Sequence, residues 1–171
     1  MEIINHKNLT PDENWKYFRK VRAVIEDSNG NVAISTEGGK YIFPGGKCEQ
    51  DEPEDKAISR EIFEETGIKI DSSSFIREFQ LYVIYDNFYN YRTGLLEPRH
   101  MLTTFYYAKT NETINEELMQ LTEGELKEGF KIAFVDKNTL IKMLNEDHSN
   151  MENGIFFDEE NKMVINKILK K

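Results

Sequence analysis

Apolar and polar residues alternate between Tyr17 and Glu26, and this segment is rich in β-branched and aromatic side chains, so it is predicted to be a β-strand. The turn residues Ser28-Asn29-Gly30-Asn31 follow it. Because Asn-Gly accepts positive φ angles, they predict a hairpin that returns through a second strand from Val32 to Ser35. A short apolar run, Tyr41 to Phe43, follows a Gly-Gly turn and is predicted as a third strand.

The clearest helical pattern lies between Pro53 and Gly67. Proline suits the first helical position, and the two acidic residues after it place negative charge at the positive end of the helix dipole. Ile58 and Ile62 are four residues apart and form an apolar stripe that would pack on a sheet. We expect the helix to run to about Thr66, with Gly67 ending it.

The rest of the chain returns to strands and then ends in helices. Strands are predicted over 75–85, 101–109 and 130–135, an irregular aromatic-rich loop over 86–100, and helices over 138–145 and 158–169. No repeat or linker divides the chain, so we expect one domain over residues 1–171. The order of elements predicts a mixed α/β fold.

The composition is that of a globular chain. Of the 171 residues, 39% are hydrophobic and 31% are charged, which excludes a disordered chain. No run approaches the roughly 18 to 20 apolar residues that span a bilayer, and the first residues lack the apolar core of an export signal. We therefore expect a cytoplasmic protein without a membrane partner. The single cysteine, Cys48, excludes an internal disulfide and a Cys-rich zinc site.

The net charge of −9 is concentrated in one segment. A nucleic-acid polymer is not an expected partner, because binding its backbone needs a basic face. Residues 49–65 contain eight carboxylates and two basic side chains, so this segment alone contributes −6. A run of like charges is most often a solvated face, and that interpretation competes with a ligand site here.

Glu61, Glu64 and Glu65 stand at positions i, i+3 and i+4 of the predicted helix, so they share one face. Carboxylates this close repel one another unless a cation lies between them, and hard oxygen ligands suit Mg²⁺ or Mn²⁺. Arg60 is placed to orient one of them through a bidentate ion pair. Before the helix, Gly45-Gly46 permits a tight turn that brings backbone carbonyl groups near the carboxylates.

These features stand in a fixed register. The chain has Gly46, five residues, Glu52, seven residues and then Arg60-Glu61-Ile62-Phe63-Glu64-Glu65-Thr66-Gly67-Ile68. This pattern resembles the Nudix box, G-x5-E-x7-R-E-U-x-E-E-x-G-U with U aliphatic, at all nine defined positions. The order of strands and helices extends the resemblance over about residues 17–145.

The resemblance implies a Nudix-type α/β/α sandwich around a mixed β-sheet. It also implies hydrolysis, with Mg²⁺ or Mn²⁺, of a diphosphate bond in a nucleoside diphosphate linked to another moiety. The partner would be a small-molecule nucleotide derivative: a nucleoside triphosphate, a modified nucleotide, a nucleotide sugar or a dinucleoside polyphosphate. A homodimer is a further expectation, because many relatives are dimers.

The resemblance also implies roles for residues at matching positions. The metal ligands would be Glu61, Glu64, Glu65 and the carbonyl of Gly45, while Glu52 and Arg60 would hold the box in shape by ion pairing. The general base varies among Nudix enzymes and is often a glutamate on a later loop. Glu125 is the first candidate here, with Glu123 and Glu128 as rivals.

Four residues are candidates for binding the rest of the substrate. Tyr85 lies 17 residues after Ile68, near a tyrosine that marks dinucleoside-polyphosphate hydrolases, although core packing is an alternative explanation. Tyr89 and Arg92 belong to the predicted 86–100 loop, where an aromatic ring would stack on a base and Arg would pair with phosphate. His100 is predicted to face the pocket from the start of the next strand.

Two other functions compete with a hydrolase. A ligand-binding or regulatory Nudix domain without catalysis usually has an eroded box, whereas this box is intact. A Nudix-fold isomerase of isoprenyl diphosphates needs a catalytic cysteine elsewhere in the chain, which Cys48 inside the box does not supply.

Overall fold

The computed structural model describes residues 1–90, 94–146 and 155–171, without the side chains of residues 89, 90 and 155–157. The strands are β1 (Glu2–Ile4), β2 (Lys16–Glu26), β3 (Asn31–Glu37), β4 (Lys40–Ile42), β5 (Ile76–Asn90), β6 (Leu95–Lys109) and β7 (Lys131–Asp136). The helices are α1 (Glu54–Thr66), α2 (Glu123–Lys127), α3 (Lys137–Glu146) and α4 (Ile155–Val164), which continues as a π-helical turn over Ile165–Leu169.

The strands form one mixed sheet in the order β1-β5-β6-β2-β3-β4, with β7 also paired to β3. β1 runs parallel to β5 and β2 runs parallel to β6, while the other pairs are antiparallel. β2 pairs with β3 only at Glu26 and Val32. Further along β2, the N–H groups of Val21 and Ala23 donate to the carbonyls of Gly46 and Pro44, both at 2.9 Å. The glycine turn is therefore fixed beside the middle of the sheet.

Alternation along β2 gives the sheet two buried faces. Val21 and Ala23 pack with Ile58 and Ile62 of α1 on one face. Val24 lies on the other face, in a second core covered by α3, α4 and the π-helical turn. Helices thus cover both faces, which confirms the predicted α/β/α sandwich around a mixed sheet. Within the described residues, no helix is long and apolar enough to cross a membrane.

The prediction of an irregular loop over 86–100 is wrong. β5 continues to Asn90 and β6 begins at Leu95, so the hairpin extends through most of this segment, and residues 91–93 lie outside the described part. Pro98 suggested a loop because proline interrupts a strand ladder. In the structure it lies opposite the irregularity between Tyr85 and Phe88, where no ladder partner is needed.

The helical predictions are correct in kind and differ at their ends. Gly67 ends α1 with a φ of 70°, as expected of a C-terminal glycine. Pro53 precedes the first helical residue instead of occupying it, and α4 begins before Asp158. β1 and α2 were not predicted because each is too short to show a periodic pattern.

Candidate active site

A bidentate ion pair joins α1 to the loop before it. Nε and Nη2 of Arg60 donate to the two carboxylate oxygens of Glu52 at 2.9 and 2.8 Å. The same guanidinium donates to the carbonyl of Lys47 at 3.2 Å, and Glu52 accepts the backbone N–H of Glu49 at 2.9 Å. The Arg60 hydrogen bonds lower the pKa of Glu52, and Glu52 in turn raises the pKa of Arg60. The loop is thereby fixed against the helix.

Arg60 also contacts the helix carboxylates. Its Nη1 donates to Glu61 and to Glu64, each at 2.9 Å, so one guanidinium engages three glutamates. Glu61 is buried, whereas the Glu64 side chain is 32% exposed. Burial raises the pKa of Glu61 although Arg60 opposes this shift. Arg60 therefore compensates only part of the negative charge that the glutamates place on this face of α1.

Glu65 is the most deeply buried of the three box glutamates, with 6% exposure. Its carboxylate accepts the backbone N–H of Gly45 at 2.8 Å. Burial raises its pKa to about 8, even though this hydrogen bond and Arg22 act in the opposite direction. A carboxylate held in this way fits a site that normally receives a cation, because a cation would offset the desolvation of its charged form.

The two glycines of the turn are required by close approach. A Cβ atom on Gly45 would lie 2.3 Å from the carbonyl oxygen of Val21, and Gly45 has a φ of 133°. A Cβ on Gly46 would lie 2.3 Å from a carboxylate oxygen of Glu61. Only glycine at both positions lets the turn lie against β2 and leaves room for the Glu61 carboxylate.

A second group of acids approaches from β3 and α2. Burial raises the pKa of Glu37, and the next contribution comes from Glu125. Glu125 also adds smaller upward contributions to the pKa values of Glu61 and Glu65, so its carboxylate lies near them. In this structure it accepts the backbone N–H of Thr122 at 2.6 Å as part of a capping box.

The segment before α2 is tied to the end of α1. The N–H of Gln120 donates to the Glu64 carbonyl at 2.7 Å, and the N–H of Asn115 donates to the Thr66 carbonyl at 2.9 Å. These bonds hold Glu125 on the side of the box glutamates. Of its two rivals, Glu128 is tied to the turn after β3, because its backbone carbonyl accepts the N–H of Gly38 at 3.0 Å.

The donor set fits a hard divalent cation. It comprises three carboxylates on one helix face and a backbone carbonyl of the facing turn, and two of those carboxylates are buried with raised pKa values. Among the described residues, no three Asp, Glu, His or Cys side chains are grouped closely enough to hold a metal as they stand. Arg60 occupies oxygen atoms of Glu61 and Glu64 in this arrangement.

A cavity of about 910 Å³ lies between β3, β7, α3 and the segment that leads into α2. Its lining is largely apolar and includes Ile34, Tyr41, Met119, Leu126, Phe130, Val135 and Met143. Its link to the box helix is Gln120, whose N–H donates to the Glu64 carbonyl, while Glu37, Glu125 and the box glutamates do not line it. The size is in the range of pockets that hold small ligands.

The predicted substrate residues are not brought together. The hydroxyl of Tyr82 lies 2.6 Å from Nδ1 of His100, whose ring also contacts Tyr17, on the α1 face of the sheet. Tyr85 lies on the opposite face against the α3–α4 core, where burial raises its pKa. The Tyr89 side chain and Arg92 lie outside the described residues.

Sequence reasoning missed a set of buried charges on β2. Nε of Arg22 lies 3.2 Å from the carboxylate of Glu160 in α4, and both side chains are buried. Lys20 and Arg22 have the same parity in β2 as Val24, which faces the core. Charged residues at inward positions of an alternating strand are the signal that could have identified this set.

The comparisons with known proteins agree with this geometry. A model of the NUDIX domain family matches residues 16–153. The chain belongs to the Nudix family. The predicted Nudix pyrophosphohydrolase is thereby confirmed as a class: members hydrolyse diphosphate bonds in small nucleotide derivatives and generally use Mg²⁺ or Mn²⁺.

Solved structures of Nudix proteins share the fold at low sequence identity. A MutT protein from Methanosarcina mazei has a TM-score of 0.53 and 19% identity, covering 88% of this chain and 99% of that one. A MutT protein from Bacillus halodurans has a TM-score of 0.52 and 20% identity, covering 73% and 72%. A NUDIX hydrolase from Nitrosomonas europaea has a TM-score of 0.50 and 19% identity, covering 89% and 91%. No curated protein matches this sequence significantly.

Proposed function

We propose that this Nudix protein hydrolyses a diphosphate bond in a small nucleoside diphosphate derivative, with Mg²⁺ or Mn²⁺ bound by its box. The observation that carries the proposal is the pair of buried acids, Glu61 and Glu65, held against the glycine turn with raised pKa values. Burying carboxylates in this way destabilises the chain unless their charge is compensated. The ligands would be Glu61, Glu64, Glu65 and the Gly45 carbonyl.

The reaction needs a water placed in line with the bond to be cut. The bound metal would neutralise the diphosphate charge and lower the pKa of that water. Glu52 and Arg60 act by position, because their ion pair fixes the loop and Arg60 orients Glu61 and Glu64. We assign the role of general base to Glu125, which takes the water proton while the leaving phosphate departs with the bond electrons. Glu123 and Glu128 are the alternatives.

The cavity linked to the box helix through Gln120 supports a nucleotide derivative as substrate. Its volume of about 910 Å³ suits a molecule of that size, and Tyr41 and Phe130 offer aromatic rings for a base. A nucleoside triphosphate, a modified nucleotide, a nucleotide sugar and a dinucleoside polyphosphate all contain the required bond. Contacts of Tyr85, Tyr89, Arg92 and His100 with the substrate remain predictions.

We further propose that residues 1–171 act as one domain. β1 and the whole of α4 lie outside the matched range 16–153. Yet β1 pairs with β5, and Val164 belongs to the core on the α3–α4 face. A cytoplasmic location, a homodimer and the lack of a nucleic-acid polymer as partner stay predictions from the sequence.

Substitution of Glu64 tests the proposed chemistry. Glu64→Gln keeps the shape of the side chain but removes its charge, so we expect kcat to fall by at least the roughly 10- to 100-fold lost when a residue that supports a metal ligand is removed. The measurement is hydrolysis of a panel of nucleotide derivatives with Mg²⁺ or Mn²⁺, with products resolved by chromatography. Glu117→Gln is the matched control, because Glu117 is exposed on the segment before α2.

The outcomes separate the hydrolase from a binding domain. Turnover that survives Glu64→Gln unchanged would show that the box is not the active site. Binding of nucleotides by the wild-type protein, without hydrolysis of any of them, would favour the ligand-binding Nudix domain instead.

A further inference from the structure

We propose that a basic cluster on the α4 face of the sheet, formed by Lys20, Arg22, Lys47 and Arg99, binds a phosphate group of the substrate distant from the diphosphate bond that is cut. The inference rests on the proposed function for the identity of the substrate as a nucleotide derivative. It adds that the favoured substrate carries a further anionic group.

Strand register places the four cations on one face. Lys20 and Arg22 alternate with Val21, which faces α1, so both point towards α4. Arg99 precedes Met101 by two residues in β6, and Met101 belongs to the core on the α4 face. Lys47 forms an isolated bridge with Lys20, which brings it to the same part of the sheet.

Two of the cations, Lys47 and Arg99, lie beside the same aromatic ring. Nζ of Lys47 lies 4.4 Å from the centre of the Phe18 ring, and Cζ of Arg99 lies 5.2 Å from the same centre. Cζ of Arg99 also lies 4.0 Å from the centre of the Phe88 ring. Aromatic faces stabilise cations only in part, so these contacts hold the positive charges in place without neutralising them.

The carboxylates near the cluster do not balance it. Three carboxylates face the four cations and Lys16: Glu160 pairs with Arg22, Glu97 lies 3.3 Å from Arg99, and Glu37 acts electrostatically on Lys20. Glu97 also pairs with Lys16 at the shorter distance of 2.7 Å. Excess positive charge in a chain with a net charge of −9 is unusual and fits an anionic ligand.

Two groups of the cluster are poorly satisfied as they stand. Nε of Arg99 is buried and has no hydrogen-bond partner among the described residues. Burial, together with the nearby Arg22 and Arg99, lowers the pKa of the partly buried Lys20 to about 8. A bound phosphate would accept a hydrogen bond from Nε of Arg99 and would stabilise the charged form of Lys20.

The cluster begins at the proposed cleavage site. Nη1 of Arg22 donates to the carbonyl of Phe43 at 2.6 Å and to that of Gly45 at 3.4 Å, and Lys47 directly follows the glycine turn. From there it extends along β2 and β6 to Arg99. A substrate bound at the box glutamates can therefore reach the cluster with its distal part, where guanidinium and ammonium groups suit phosphate oxygens.

The buried ion pair of Arg22 and Glu160 has a sufficient structural explanation, because it joins α4 to β2. It does not explain the positions of Lys20, Lys47 and Arg99. The test therefore uses Lys20 and Arg99, with Lys109 as the matched control because it lies exposed at the far end of β6.

The first measurement is binding of inorganic pyrophosphate to the full chain in EDTA, by calorimetry. We expect saturable binding that weakens about tenfold or more in Lys20→Gln and in Arg99→Gln, because each loses a charge-assisted hydrogen bond. Lys109→Gln should bind as the wild-type protein does. Lys20→Arg keeps the positive charge and should therefore retain pyrophosphate binding. Melting curves identify any variant that fails to fold. Absence of binding, or binding that ignores both substitutions, overturns the proposal.

The second measurement locates the anion on the substrate. Two derivatives of the same nucleoside diphosphate are compared, one with an uncharged second moiety and one with a phosphorylated second moiety. We expect tighter binding and higher kcat/KM for the phosphorylated one, and a roughly tenfold loss of that preference in Lys20→Gln and Arg99→Gln. Equal affinities for the two would mean that the cluster takes only free phosphate, which overturns the inference. If neither is hydrolysed, the proposed function fails, while their affinities still decide the inference.

Discussion

Glu65 shows how one residue of the candidate site affects the whole chain. In the folded protein its pKa is about 8, against an ordinary value of 4.5. Between these two pH values the folded chain holds a proton that the unfolded chain releases. The free energy of unfolding without metal therefore falls as pH rises through this range, by up to about 1.4 kcal/mol per pH unit for this group.

Glu65→Gln is expected to remove that contribution. Its amide oxygen can still accept the N–H of Gly45, so the variant should match the wild-type protein near pH 4 and exceed its stability near pH 8. Urea unfolding in EDTA between pH 4 and pH 9 measures the difference. Glu117→Gln should leave the pH profile unchanged. A stability difference between Glu65→Gln and wild type that stays constant with pH would contradict this account.

Single residues also show what sequence can and cannot predict. The pairing of Arg60 with Glu52, Glu61 and Glu64 follows from positions one, four and eight residues apart in a known motif. The Arg22–Glu160 pair joins residues 138 positions apart, and its existence depends on how α4 packs on β2. Local spacing predicts the first kind of contact, while tertiary packing alone determines the second.

Among the elements, the end of α1 fixes the position of the segment from Asn115 to Gln120, which leads to α2. Gly67 has a φ of 70°, and a Cβ atom there would lie 2.3 Å from the carbonyl oxygen of Asn115. The N–H of Asn115 donates to the Thr66 carbonyl, so this segment cannot withdraw without losing a hydrogen bond.

Gly67→Ala is therefore expected to destabilise the chain by more than a positive φ alone requires. Gly129→Ala is the matched control, because Gly129 has the same φ of 70° and nothing within 4 Å of its would-be Cβ. The control should cost about 1 kcal/mol of unfolding free energy, and Gly67→Ala at least about 1 kcal/mol more. Urea unfolding measures both. Equal losses of unfolding free energy in the two variants would show that the segment at Asn115 moves aside without an energetic cost.

The elements differ in how well their sequence predicts them. β2, β3 and α1 carry long periodic patterns with clear turn signals, so their positions were predicted closely. The β5–β6 extension was missed because Pro98 and Gly94 are typical of loops, although cross-strand pairing of Phe88 with Glu97 continues the ladder. α2 carries the Thr122-x-x-Glu125 pattern of a capping box, which could have identified it.

For the whole molecule, the net charge of −9 has two opposed parts. The acidic part gathers at the box glutamates, Glu37 and Glu125, and the basic cluster lies on the α4 side of the glycine turn. A metal-bound diphosphate would meet the first part and a distal phosphate the second. Under these two proposals an acidic protein binds a polyanionic substrate, because cations supplied by metal and by side chains would both face it.

Mg²⁺ should therefore raise the melting temperature by binding at the box glutamates, and not only by screening the repulsion between surface charges. At ten times the dissociation constant a ligand specific to the folded state stabilises it by about 1.4 kcal/mol. For a chain of 171 residues that corresponds to a rise of about 3 to 6 °C. Differential scanning calorimetry compares MgCl₂ with NaCl at the same ionic strength, which reproduces only the screening of surface charges. Glu64→Gln should lose most of the shift and Glu117→Gln should keep it. If NaCl gives the same rise as MgCl₂, the acidic segment is a solvated face, because only a metal site distinguishes the two salts.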